Sequence, residues 1–128
     1  MGDTDAKDYD FSVEAQGLPP EAVVVAMTTA PDMLLAKYLA HDLVEEGVVA
    51  CANLGAPGLS MYMWQGEIQG DEEVTLTFKT TVAQLPELGR RLRQRHPYDL
   101  PELLVLPVAG GYKAYLDWVR EQASPKAR

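Results

Sequence analysis

An α+β fold, a βαββαβ sandwich with an extra C-terminal helix, is predicted by three features of the sequence. Strand-like and helix-like patterns alternate along the chain, with two strand-like arms side by side in its middle. Residues 73–79 alternate apolar and polar, the period of a half-buried strand, whereas 23–29 and 103–108 are β-branched or apolar without alternation. Glycine and proline mark the joints, at Gly47, Gly66, Pro97, Pro101 and the Gly110-Gly111 pair.

Composition narrows the functional classes. A chain of 128 residues suits one domain that buries roughly two thirds of its unfolded surface. Cys51 is the single cysteine, which excludes an intramolecular disulfide framework. A formal charge of -8 argues against a nucleic-acid partner, because phosphate binding needs clustered positive potential. No apolar stretch is long enough to cross a bilayer, so no membrane partner is expected and the cytoplasm is the expected location. Residues 1–20 read as an acidic N-terminal arm, with Asp3, Asp5, Asp8, Asp10 and Glu14 against Lys7 and no apolar core of a secretory signal. Residues 21–122 read as the folded domain and 123–128 as a polar tail.

Taken in order, residues 23–29 are expected to be a central strand buried on both faces. Pro31 and Asp32 open a helix whose stripe is Leu35, Leu39 and Leu43, widened by Leu34 and Tyr38, and Gly47 ends it. A second strand covers 48–54. A long hairpin follows, with arms at 59–64 and 73–79 and turn residues at Gln65-Gly66 and Gly70-Asp71. Large side chains lie on both faces of its first arm, Leu59, Met61 and Met63 on one and Tyr62 and Trp64 on the other. One chain cannot cover both, which marks a subunit interface. Thr81 is the expected cap of the next helix, with Leu85, Leu88 and Leu92 buried and Arg90, Arg91, Arg93 and Arg95 crowding its end. That helix must stop at His96, because Pro97 pushes the preceding residue out of the α region. Residues 103–108 then form a strand covered on its faces, and Tyr112, Tyr115, Leu116 and Val119 repeat as an amphipathic helix carrying Trp118. Two right-handed crossovers of this kind place the helices on one side of an antiparallel sheet, a ferredoxin-like layer, and leave the other side bare.

Six motifs in sequence carry a resemblance. Thr29-Ala30-Pro31-Asp32, Ala50-Cys51-Ala52-Asn53, Tyr62-x-Trp64-x-Gly66, Lys79-Thr80-Thr81, His96-Pro97-Tyr98-x-x-Pro101-Glu102 and Tyr115-Leu116-x-Trp118 together closely resemble the CutA family, the divalent-cation-tolerance proteins. The resemblance covers residues 21 to about 122 and implies a ferredoxin-like protomer in a compact homotrimer built through the long hairpin and the sheet edges. It further implies no catalytic activity and an association with copper or other divalent cations, as a cofactor not required for folding. Where some members carry a cysteine and a second histidine, this chain has Thr28 and Arg95. The assembly is similar to that of PII-type signalling proteins. The alternative is therefore a PII-like trimeric regulator that binds a small anionic ligand between subunits, with a regulatory protein as partner.

His96 is the metal-ligand candidate, because imidazole is a preferred ligand of copper and zinc. The competing reading is that it caps the helix and bonds backbone carbonyls. Tyr98, Glu102, Lys79 and Cys51 are candidates for a ligand cleft near a subunit boundary; Cys51 is also readable as a structural thiol and Glu102 as an ion-pair partner of the arginine-rich helix. Glu67, Asp71, Glu72 and Glu73 crowd the hairpin, where they can attract hard cations or keep the tip soluble. His41 reads as a solvated surface residue. Met61, Tyr62, Met63, Trp64 and Trp118 are the expected trimer-interface side chains.

Overall fold

The structure, a computed structural model, describes residues 17–125. Its elements are β1 (Val23–Ala30), α1 (Met33–Glu45), β2 (Cys51–Leu54), β3 (Gly58–Trp64), β4 (Glu67–Thr81), a 3-10 turn (Val82–Gln84), α2 (Leu85–Arg95), β5 (Leu104–Pro107) and α3 (Lys113–Gln122). The strands form a sheet in the order β2-β4-β1-β5, with β3 pairing to the part of β4 that runs past the others. Every pairing is antiparallel.

Alternation along the strands sorts the two faces of the sheet. The pairs Ala26 with Phe78, Thr28 with Leu76 and Ala30 with Val74 point one way and are buried. Against them pack Ala36, Leu39 and Leu43 of α1 and Leu85, Leu88 and Leu92 of α2. Val25, Met27 and Thr29 point the other way and are only half-buried. The central strand is therefore covered along its length on one face rather than two, by α1 and α2, and on the other only at its Val23 end, where α3 brings Val119 and Ala123. β5 differs from expectation in the same way: Leu103 and Val105 meet the core while Leu104 and Leu106 stay exposed.

Local chemistry explains the element boundaries. Asp32 caps α1, its side chain accepting a 2.8 Å bond from the Leu35 N–H, and Pro31 lies before the helix rather than in it. Leu34, 82% exposed, and Tyr38, 53% exposed, fall off the apolar stripe; Ala36 and Ala40 take their place and let the helix sit close to the sheet. Gly47, at φ 76°, takes the chain out of α1. β2 begins later than residue 48, since the Val48 and Val49 N–H groups still bond back to the Leu43 carbonyl. The hairpin has one turn, at Gln65 (φ 50°) and Gly66 (φ 82°), the double left-handed geometry that matches strand twist. Gly70 and Asp71 are strand, not turn: a Cβ on Gly70 would come within 3.2 Å of Leu59, so the glycine makes room for that side chain. Thr81 ends β4 and makes no side-chain cap; α2 starts four residues later, with Pro86 in its first turn.

The folded unit reaches slightly beyond 21–122. Leu18 packs on the core, the Pro20 carbonyl accepts a 2.9 Å bond from the Ala83 N–H, and Ala123 is buried beside Val23, Ala50 and Val119. Residues 1–16 of the acidic arm and 126–128 of the tail lie outside the described residues.

Candidate functional site

The loop after α2 is held by His96. Pro97 forces ψ of His96 to 141°, so α2 stops there with the His96 N–H on the Leu92 carbonyl at 2.9 Å. The side chain, 7% exposed, turns back to the sheet. Its Nδ1 accepts the Tyr98 N–H at 3.1 Å, which fixes the proton on Nε2, and Nε2 donates to the Thr29 carbonyl at 2.6 Å. The Tyr98 ring leans on the imidazole at 4.6 Å between centroids. Both ring nitrogens are thus committed to holding the loop on β1: Nε2 carries the proton, and the one in-plane lone pair, on Nδ1, is taken by the Tyr98 N–H. The two positions at which some members of the resembling family carry a cysteine and a second histidine are engaged as well: Thr28 Oγ1 donates to the Glu102 carbonyl at 2.6 Å, and Arg95 is tied to Glu46.

Tyr98 and Glu102 do gather at this end of the sheet. The Tyr98 hydroxyl donates to Glu73 Oε2 at 3.0 Å, and Thr29 Oγ1 approaches the same oxygen at 3.4 Å. Burial first, and then the bond to Glu73, push the Tyr98 phenol up to about 12. Tyr62 bonds Asp71, two residues before Glu73 on β4, and that bond, ahead of desolvation, raises the Tyr62 phenol as well. Glu73 thus gathers the Tyr98 and Thr29 hydroxyls, while Asp71 holds that of Tyr62. Its position in an acidic run gave no sign of this, because the partners come from β1 and from the loop.

Lys79 and Cys51 lie elsewhere. They are direct cross-strand partners on the open face, with Lys79 Nζ bonded to Asn53 Oδ1 and Cys51 Sγ 3.8 Å from the Tyr115 hydroxyl. Lys79 is four residues along β4 from Thr75, which pairs with Thr29; at ~3.3 Å per residue the two groups are about 13 Å apart. One chain therefore does not bring Lys79 or Cys51 to His96. Between and beyond them the face is apolar: Leu104 and Leu106, then Tyr115 and Trp118 of α3, then Tyr62 and Trp64 of the hairpin; Leu59, Met61, Met63 and Ile68 stand exposed on the hairpin's opposite side, these six hairpin side chains being between 44 and 68% exposed.

The helical side carries the ionic chemistry. Arg95 bonds Glu46 Oε2 at 3.0 Å and approaches Asp42 Oδ2 at 3.8 Å, while Arg91 bonds both Glu46 and Glu87. The arginine-rich helix thus pairs with the end of α1 and not with Glu102. A cleft of about 510 Å³ beside these groups is lined by Ala83, Gln84, Glu87, Arg91 and Pro125, and none of the predicted site residues lines it. His41, Asp42 and Glu45 also converge on α1, their ligand atoms within 4.8 Å of one another. The i, i+4 spacing of His41 and Glu45 was visible in the sequence.

Comparison with known proteins agrees with this architecture. The family model described as CutA1 divalent ion tolerance protein matches residues 24–122. The "Divalent-cation tolerance protein CutA" of Thermus thermophilus is 46% identical over 98 residues, which is 76% of this chain and 94% of the relative. A solved structure of the Thermus thermophilus divalent cation tolerance protein superposes with a TM-score of 0.78 at 41% identity, covering 80% of this chain and 99% of that one. CutA1 from Oryza sativa superposes with a TM-score of 0.79 at 33% identity, covering 80% and 94%. With a family model spanning the sheet and its helices, the chain belongs to the CutA1 divalent ion tolerance family.

Proposed function

We propose that this protein works as a non-catalytic homotrimer in tolerance of divalent cations, copper among them, with the ferredoxin-like sandwich as its protomer. The strand order, with two helices on one face of an antiparallel sheet, supports the protomer. The observation that carries the assembly is the open face. There Tyr62 and Trp64 of the hairpin, Trp118 of α3 and Leu104 and Leu106 of β5 form an apolar surface, and Met61 and Met63 stand exposed on the hairpin's other side; nothing in the described residues covers either. Two further copies of the chain are the partners in this reading, with no nucleic acid and no membrane, and the cytoplasm is its place of work. Tyr98, Glu102 and Lys79 lie at margins of the face that neighbours would cover, so a small ligand held by them would be held between protomers.

Light-scattering mass measurement at micromolar concentration tests the assembly. A mass three times the 14.1 kDa chain is expected. A well-folded single subunit would remove the trimer and with it any shared cleft.

A further inference from the structure

We propose that His41, Asp42 and Glu45, in the last turns of α1, form a surface site for a borderline divalent cation of the Cu(II) and Zn(II) kind. The proposal deepens the reading above: it takes the association with divalent cations as given and supplies a donor set on the helical side, away from the open face.

The geometry comes from the helix. His41 and Glu45 are one turn apart on the same side, and Asp42 is the neighbour that closes the set. Their ligand atoms already lie within 4.8 Å of one another. Bonds of ~2.0–2.2 Å require donors about 3–4 Å apart, a closure that exposed side chains reach by turning rotamers. The His41 side chain is 71% exposed, so its ring turns at no packing cost.

Two further features favour a cation at this spot. The C-terminal end of a helix carries partial negative charge, the last turn of α1 has no base of its own, and Asp42 and Glu45 add carboxylates there, while the Glu46 charge is offset by Arg91 and Arg95 of α2. The arginines that reach across from α2 settle mainly on Glu46. Arg95 approaches only Oδ2 of Asp42, at 3.8 Å, which leaves Oδ1 turned toward His41 Nδ1 at 3.3 Å. Arg95 therefore orients the Asp42 carboxylate without consuming the oxygen that faces the imidazole.

The donor set also selects. One imidazole nitrogen with two carboxylates suits Cu(II) and Zn(II); Ca²⁺ and Mg²⁺ prefer all-oxygen shells, and soft Cu(I) prefers sulfur. Three protein donors leave further positions to water, the arrangement of an exchangeable site rather than a structural one.

The test is calorimetric titration of the full chain with Cu(II) and with Zn(II), in the wild type, His41→Ala, Glu45→Gln and His96→Ala, with the Cu(II) electron paramagnetic resonance spectrum of each. The expected result is saturable uptake of one cation per chain, weakened at least tenfold in His41→Ala and weakened in Glu45→Gln. In His96→Ala, uptake is unchanged. The spectrum shows coupling to a single imidazole nitrogen that only His41→Ala removes. Wild-type uptake that His41→Ala leaves intact, or nitrogen coupling lost in His96→Ala instead, overturns this site and leaves the wider reading standing. A wild-type chain that takes up neither cation overturns the site and the cation part of that reading together, while the mass measurement still judges the trimer.

Discussion

The two faces of the sheet are made from the same strands and differ in who finishes them. Toward the helices, Val24, Ala26, Val74, Leu76 and Phe78 meet α1 and α2 and are closed off by this chain alone. On the other face Met27 is half-buried, Leu104 and Leu106 are exposed, and the hairpin adds side chains that stand clear on both of its sides. The difference teaches that burial in this protein has two sources, and that substitutions on the two faces should fail in different ways.

The largest expected effect tests the closed face. Phe78→Ala should cost about 3–5 kcal/mol in denaturant unfolding, whatever the state of assembly, because it opens a cavity between β4 and the helices. On the hairpin, which this chain leaves uncovered on both sides, Met61→Asp with Trp64→Glu should reduce the measured mass toward that of one chain while far-UV circular dichroism keeps its folded form. Loss of fold by this hairpin variant would break the comparison. Glu46→Ala should cost about 2 kcal/mol, since it leaves Arg91 and Arg95 half-buried without their shared carboxylate. Asp32→Ala should cost about 1 kcal/mol by uncapping α1.

The smallest effect is one of pH. The fold favours the neutral Tyr98 phenol, raised from 10.0 to about 12. Its contribution is whole below the unfolded value near pH 10 and is lost as pH rises toward about 12. Tyr98→Phe should therefore flatten the fall of melting temperature across that alkaline window. An unchanged slope would show that the Glu73 contact has no hold on the loop.

Much of this was legible in the sequence because local rules set it. Pro97 after His96, Gly47 after α1 and the Gln65-Gly66 turn each depend on residues close in the chain and stand where these put them, whereas the alternation of 73–79 marks only part of β4, which begins at Glu67 and runs straight through the Gly70-Asp71 pair that reads as a turn. The open side of β5 was not legible: an apolar run records that a side chain is to be covered, not which chain covers it. The position of Leu34 and Tyr38 was missed because leucine and tyrosine outweigh alanine on any hydrophobic scale, while close helix-to-sheet approach favours Ala36 and Ala40. His96 was readable either as a ligand or as a cap that bonds backbone carbonyls, and only its bonds to the Thr29 carbonyl, 67 residues away, and to the Tyr98 N–H show how both nitrogens are used.

β4 runs unbroken for 15 residues, its first part laddered to β3 and its later part laddered to β1 and β2. No joint separates the projecting tip from the middle of the molecule. Force applied to the tip is therefore carried straight along one backbone into the layer beneath α1 and α2, and the tip moves as a lever arm and not as a flap.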